Sequence, residues 1–277
     1  MNPYELKDTE KIISPALIYY ENIIRSNILK AIEIAGTADR LKSHKSADML
    51  KIQMEYGISK FKTATVAEAE MAAEAGASHV ILAYPLVGPN QERLVRLAMA
   101  YQDTCFYAVA DDRERFVKLA KAYPDTVFYG VEDDLAQFEA LSGVCVEHDA
   151  VLPMLVDVNM GMNRTGVSID DMEKLYRYGN SLEGILMAGL HCYDGNHNNK
   201  DINQRMEDVK ETDDKIKEVI GNLQTDGIPC EIIVAGGTPS FPCHAALTDW
   251  YLSPGTAFIT DAGYYQNLPD LPFVPGA

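Results

Sequence analysis

Apolar residues along this chain fall into short runs separated by stretches of helical period. Ile23, Ile24, Ile28 and Ile32 share one side of a helix predicted over 21 to 35, entered from the extended segment Ser14-Pro15-Ala16-Leu17-Ile18-Tyr19-Tyr20. Beyond it, β-like runs occur at 39 to 43, 60 to 65, 79 to 84, 104 to 110, 126 to 131, 151 to 157, 185 to 192, 230 to 235 and 256 to 260. The intervening helices are amphipathic, for instance over 66 to 75 and 203 to 223, a pattern that predicts parallel strands wrapped by helices. Repeated βα units of this size make an α/β fold with a (β/α)8 TIM-type barrel the leading reading and a doubly wound sheet the second. Neither GxGxxG nor GxxxxGK[ST] occurs, and polar residues follow several different strands, as a single ring of loops at a barrel mouth requires.

The strand count is one too many for eight. Near the surplus, the segment from Tyr101 to Asp112 is echoed 22 residues later by the segment from Tyr123 to Asp134. The period is that of one βα unit, so the echo reads as a duplicated unit. Either the run at 256 to 260 lies outside the barrel or one copy of the echo does. From about Asp261 the text turns proline-rich and loses helical period, so 1 to 260 reads as the barrel and 261 to 277 as a connection to a further part.

With 277 residues and 47% hydrophobic content, the chain suffices for one large barrel or two ordinary domains. Its formal charge of -17 is scattered over helix faces, which disfavours a nucleic-acid partner and reads as solubility through net charge. Residues 1 to 11 lack the apolar run of a signal peptide, and no stretch approaches a membrane span. The five cysteines are far apart, without CxxC spacing, and read as buried thiols in a reducing cytoplasm.

On spacing alone Lys42, in Arg40-Leu41-Lys42-Ser43-His44-Lys45, is a solvated surface lysine. Its place at the end of a predicted first strand changes that reading. An amine held at a barrel mouth, its pKa lowered by desolvation, can capture a carbonyl cofactor as a Schiff base. Lys45 lies further into the loop. About two hundred residues on, Ala235-Gly236-Gly237-Thr238-Pro239-Ser240 follows a buried-looking strand. Its glycines let backbone N–H groups approach an anion, and the hydroxyls of Thr238 and Ser240 add donors. A closed barrel brings first and late strands together, so the two segments point jointly to pyridoxal 5'-phosphate (PLP). Arg164, on the loop after the strand at 151 to 157, can contact the cofactor or a substrate carboxylate. The next strand end carries His191, Tyr193, Asp194 and His197, more hydrogen-bonding groups than packing alone needs, without forming a convincing metal site. Thr65 and Glu68 read as a helix cap, and His244 as the start of a helix.

The order of these segments resembles the fold-type III PLP enzymes, the alanine racemase-like barrel, and most of all their D-threonine aldolase and D-serine dehydratase branch. The resemblance is carried by Ser-Pro-Ala-Leu at the start, Leu-Lys-Ser-His-Lys at 41 to 45, the run at 63 to 70, Met-Asn-Arg-Thr-Gly at 162 to 166, the segment 189 to 195, Ala-Gly-Gly-Thr-Pro-Ser at 235 to 240 and Ser-Pro-Gly-Thr at 253 to 256. It implies that Lys42 is the Schiff-base lysine, that Gly236, Gly237 and Thr238 cradle the phosphate, and that Arg164 and Tyr193, with His191, lie beside the cofactor. Three departures stand out. Ala38-Asp39-Arg40 occupies the place of an Arg-Pro-His, Ser253 stands where an arginine is common before Pro254-Gly255, and the C-terminal β domain that in such enzymes carries the ligands for a divalent metal is expected to be largely absent after Ala277.

The resemblance implies a PLP-dependent carbon–carbon lyase that cleaves small D-3-hydroxy amino acids to glycine and an aldehyde, acting as a cytoplasmic homodimer. A divalent metal is expected only where a C-terminal domain is present. D-serine dehydratase, an amino acid racemase and a non-catalytic PLP-binding carrier are the alternatives.

Overall fold

The computed structural model describes residues 3–6, 8–38, 46–84, 86–108, 113–122 and 128–277. Strands β1 (Lys60–Thr63), β2 (His79–Leu82), β3 (Cys105–Ala108), β4 (Phe128–Glu132) and β5 (Leu152–Asn159) lie side by side in chain order. The two-residue β6 (Val167–Ser168) pairs with the end of β5, and the main sheet continues through β7 (Ile185–Cys192), β8 (Ile232–Ala235) and β9 (Tyr251–Leu252). Every pairing is parallel. Parallel neighbours need crossovers, and these are the helices α3 (Val66–Glu74), α4 (Asn90–Ala100), α5 (Arg113–Ala122), α6 (Leu135–Glu147), α7 (Met172–Ser181) and α8 (Ile202–Thr225). With α1 (Glu21–Ala35) and α2 (Ala47–Glu55) before the sheet and α9 (Phe241–Leu247) between β8 and β9, the chain is an α/β barrel of TIM type.

Strand period sorts the side chains into two cores. Phe61, Val80, Phe106, Phe128, Val156, Leu190 and Ile233 face the helices in one large cluster, whereas Ile81, Tyr107, Val131, Leu155 and Val234 form a second cluster inside the barrel. Lys62, Ile81, Tyr107 and Tyr129 are register partners across four strands, so a lysine stands in the first row of that interior. At Gly189, on β7, a Cβ would come within 1.8 Å of the Ile232 carbonyl oxygen, so only glycine lets β7 and β8 approach as they do.

The strand predicted at 256 to 260 is not one. There the chain makes a turn, in which Thr260 N–H donates to Thr256 O at 2.7 Å and Thr260 takes a left-handed φ of 49°. The strand beside β8 is instead Tyr251–Leu252, which ends where Ser253-Pro254-Gly255 breaks the extended run. The described parts of both copies of the 22-residue echo supply neighbouring strands, β3 and β4. Tyr107 of β3 pairs in register with Tyr129 of β4, and their rings stack at 4.5 Å. The run predicted at 39 to 43 lies outside the described residues.

After β9, α10 (Ala262–Asn267) starts on Asp261, whose side chain accepts from Tyr264 N. The proline-rich strip that follows packs onto the barrel, burying Leu268, Leu271 and Phe273. Asn27 of α1, completely buried, holds it. Its Nδ2 donates to Phe258 O (3.0 Å) and Val274 O (2.7 Å), and its Oδ1 accepts from Val274 N (3.0 Å). Arg205 of α8, equally buried, pairs with Asp270 of the strip and donates to Asn199 O at 2.6 Å. Among the described residues no helix is long and apolar enough to cross a membrane.

Candidate cofactor site at the barrel mouth

A cavity of about 470 Å³ opens at the carboxyl ends of the strands. Lys62 and Thr63 reach it from β1, Tyr84 from the loop after β2, Arg164 from the loop after β5, Tyr193 from the end of β7, Gly237 and Thr238 from the turn after β8, and Ser253, Gly255 and Thr256 from the loop after β9. All lie at or just beyond the carboxyl ends of strands, where barrel chemistry is built. Another depression, of about 490 Å³, lies between α8 and the turn after α9 and is lined by Lys217, Thr248, Asp249 and Trp250.

The turn after β8 is fixed from behind. Gly236 takes a φ of +85°, and a Cβ there would lie 3.2 Å from His244. Gly237 N–H donates to Ser240 Oγ at 2.8 Å, and Ser240 donates in turn to Asp194 Oδ1 at 2.6 Å. Ser240 is completely buried behind the turn, away from the cavity lining, so its hydroxyl braces the glycines. Thr238 Oγ1 accepts from Thr256 N at 2.8 Å, which ties the β8 and β9 loops and leaves the Thr238 proton to donate.

Asp194 belongs to a buried charged chain. His244, inside α9, places Nε2 2.8 Å from Asp194 Oδ2 and Nδ1 2.9 Å and 3.0 Å from the two Asp213 oxygens, with all three residues at 0% exposure. Burial would lower the His244 pKa, but hydrogen bonds and charge from both carboxylates raise it to about 9. Burial pushes the Asp194 carboxyl up, and hydrogen bonds from His197, His244 and Ser240 outweigh that, holding it far below the usual carboxylate range.

A second chain crosses the barrel interior. Asp157 Oδ1 lies 2.7 Å from His191 Nδ1, and His191 Nε2 lies 2.8 Å from Lys62 Nζ. Burial opposes ionisation of Asp157, while hydrogen bonds from His191 and Thr165 and the charge on Lys62 bring its pKa below the ordinary value. The ionised carboxylate accepts a hydrogen bond from Nδ1–H, which leaves Nε2 as an acceptor for the lysine. Lys62 Nζ also sits 4.9 Å from the centre of the Tyr193 ring, and the Arg164 guanidinium 5.2 Å from it.

Arg164, Tyr193, Gly237 and Thr238 therefore share one cavity, and His191 reaches it through Lys62. Gly236 and Ser240 stand behind its wall, and Lys42 lies outside the described residues. Thr65 caps α3 by accepting from Glu68 N, as its spacing predicts. His244, read from sequence as a helix start, is the centre of the Asp194–Asp213 chain. Lys62 carries a signal of its own in the sequence, because Lys60-Phe61-Lys62 places two lysines on one face of a largely buried strand. Four of the five cysteines are buried free thiols, and no group of three or more metal-ligating side chains occurs among the described residues.

The residues present fit PLP. Ser253 Oγ, in the cavity wall, is buried without a hydrogen-bond partner, an orphan that a ligand atom can satisfy. The Thr238 hydroxyl, Thr256 and the glycines 237 and 255 offer a small-residue cradle for a phosphate, and Arg164 adds a fixed cation.

The profile of a family described as "Alanine racemase, N-terminal domain" matches residues 39–262. Among solved structures, the chain is similar to D-threonine aldolase from Filomicrobium marinum, at 26% identity and a TM-score of 0.74, covering 96% of this chain and 68% of that one. It shares its fold with D-threo-3-hydroxyaspartate dehydratase from Delftia sp. HT23 (19% identity, TM-score 0.66, 91% of this chain and 62% of that one). It shares the fold too with alanine racemase from Clostridium difficile 630 in complex with cycloserine (12% identity, TM-score 0.62, 92% and 64%). The chain thus spans about two thirds of the length of these structures. No curated protein matches it.

Proposed function

The chain belongs to the alanine racemase N-terminal domain family, and on that footing we propose that it is a PLP-dependent lyase that cleaves D-3-hydroxy amino acids to glycine and an aldehyde. One observation carries the reading. A single cavity joins the Gly237-Thr238 turn, the orphaned Ser253 hydroxyl and the Arg164–Tyr193 pair, in a chain similar over 96% of its length to a D-threonine aldolase.

Lys42 would hold the cofactor through its amine. Thr238 and Thr256 hold the phosphate against the turn, which Ser240 and Asp194 keep from shifting. Arg164, lying against the Tyr193 ring, binds the substrate carboxylate or a cofactor oxygen. When bound, PLP supplies a sink for the electron pair left at Cα when the carbon–carbon bond breaks. The protein's part is to fix that bond in the right orientation and keep the reacting atoms out of bulk water.

Incubation with PLP should give the absorbance of a lysine-linked cofactor, and borohydride reduction should place the label on the peptide containing Lys42. An absorbance that survives Lys42→Ala unchanged refutes the assignment. D-threonine should yield glycine and acetaldehyde. Pyruvate from D-serine without D-threonine cleavage would point to the dehydratase instead.

A further inference from the structure

Lys62 is a cation in an unusual position. It leaves β1 on the inner face of the barrel, lines the cofactor cavity and has a histidine, not a carboxylate, as its hydrogen-bond partner. The nearest carboxylate on this chain of contacts, Asp157, is spent on the far nitrogen of that histidine. A lysine kept for charge balance would reach the carboxylate itself. This arrangement instead fixes the position of Nζ through a neutral acceptor, so that the amine is not locked into a carboxylate ion pair.

We propose that Lys62, held by His191 and Asp157, is the base that removes the β-hydroxyl proton of the 3-hydroxy amino acid, so that the cleavage draws its base from the barrel itself. The proposal rests on the lyase reading above. In the step, the hydroxyl O–H bond breaks and its proton forms an N–H bond on the neutral Lys62 amine. The oxygen pair becomes the second bond of the leaving aldehyde, and the Cα–Cβ pair stays on Cα, where bound PLP would supply the electron sink. Cα then takes up a proton to give glycine, and Lys62 returns its proton towards His191 or solvent.

Burial and the nearby Arg164 charge lower the Lys62 pKa to about 8 against the pull of Asp157, so a useful fraction of the amine is neutral near neutral pH. The groups facing it are His191 from β7, Asp157 from β5, Arg164 from the loop beyond β5 and Tyr193 from beyond β7. Tyr84, Asp261 and Tyr264 complete the titratable groups around the cavity.

Two measurements test it. In the protein without cofactor, competitive acetylation across the pH range, read by peptide mass spectrometry, should give Lys62 a midpoint near 8, and His191→Ala should move it. A midpoint in the ordinary lysine range, near 10.5, overturns the proposal. In the PLP-loaded enzyme, Lys62→Met should keep the cofactor absorbance and lower kcat for D-threonine by about 10²- to 10⁴-fold. Lys62→Arg should fail as well, because arginine keeps the charge yet stays protonated. Rescue by arginine, or full cleavage by Lys62→Met, overturns the role of Lys62 while leaving the lyase reading intact. A wild-type enzyme that binds PLP and cleaves no 3-hydroxy amino acid refutes both.

Discussion

Raising the pH from about 6 to about 10 should strip the proton that His244 holds between Asp194 and Asp213, and the barrel should lose stability as it leaves. The imidazole is completely buried, with both nitrogens 2.8 to 2.9 Å from carboxylate oxygens. Its pKa rises from 6.5 to about 9, because the two carboxylates outweigh the burial that opposes them. A histidine whose folded value lies above its unfolded one contributes stability that is complete below pH 6.5, falls between 6.5 and about 9, and is gone above. A rise of that size corresponds to about 3 kcal/mol. Urea unfolding, followed by the fluorescence of the single Trp250, whose ring lies 6.3 Å from His244, measures the loss. Lys62 works in the opposite direction, since its pKa is lowered from 10.5 to about 8 and stability therefore rises with pH between those values. The comparison is best made in a Lys62→Met background. An NMR titration of the His244 ring should show a midpoint near 9, and Asp213→Asn should bring it down. A midpoint near 6.5 in the unsubstituted chain, or a stability flat from about pH 6.5 to 9 in the Lys62→Met background, would refute the charged-chain account.

Gly189→Ala should leave little soluble protein on expression, because its Cβ meets the Ile232 backbone at 1.8 Å and the strands must part to admit it. Asn27→Leu should cost about 2–4 kcal/mol, since it removes three hydrogen bonds and orphans buried carbonyls; hydrogen exchange should quicken first at Val274. Ser253→Ala should stabilise the cofactor-free protein by up to about 1 kcal/mol, by removing an unsatisfied hydroxyl, while weakening PLP binding in a fluorescence titration.

Strands with clean boundaries were legible. The runs at 60 to 65, 79 to 84 and 185 to 192 became β1, β2 and β7, and the helix at 21 to 35 became α1 with the same limits. The run at 256 to 260 misled because Ala257 and Phe258 are buried for a different reason: they pack a turn against the helices, and a short apolar run carries no period to tell turn from strand. Segments of the site could likewise be found from their polar residues, whereas the work of each side chain could not. Ser240 reads as one more donor in a glycine turn, and only the fold shows its hydroxyl committed to Gly237 and Asp194. His244, Asp213 and Asp194 lie far apart in sequence on two helices and a loop, and nothing local marks them as one charged chain.

The end of β7 connects the two halves of the site. His191 turns inward to Asp157 and Lys62, and three residues later Asp194 turns outward to Ser240 and His244. One strand end therefore sets both the proposed base and the brace behind the phosphate turn. The two tasks need different protonation. The inner chain is useful when Lys62 can give up its proton near pH 8, whereas the outer chain is strongest while His244 keeps its own, up to about 9. Separating the two pKa values by environment lets a neutral amine and an intact brace coexist between them. The same order bounds activity in pH. The rising limb should follow Lys62 and move with His191→Ala, and the falling limb should follow His244 and move with Asp213→Asn. A profile in which His191→Ala moves only the falling limb would show that the assignments are reversed.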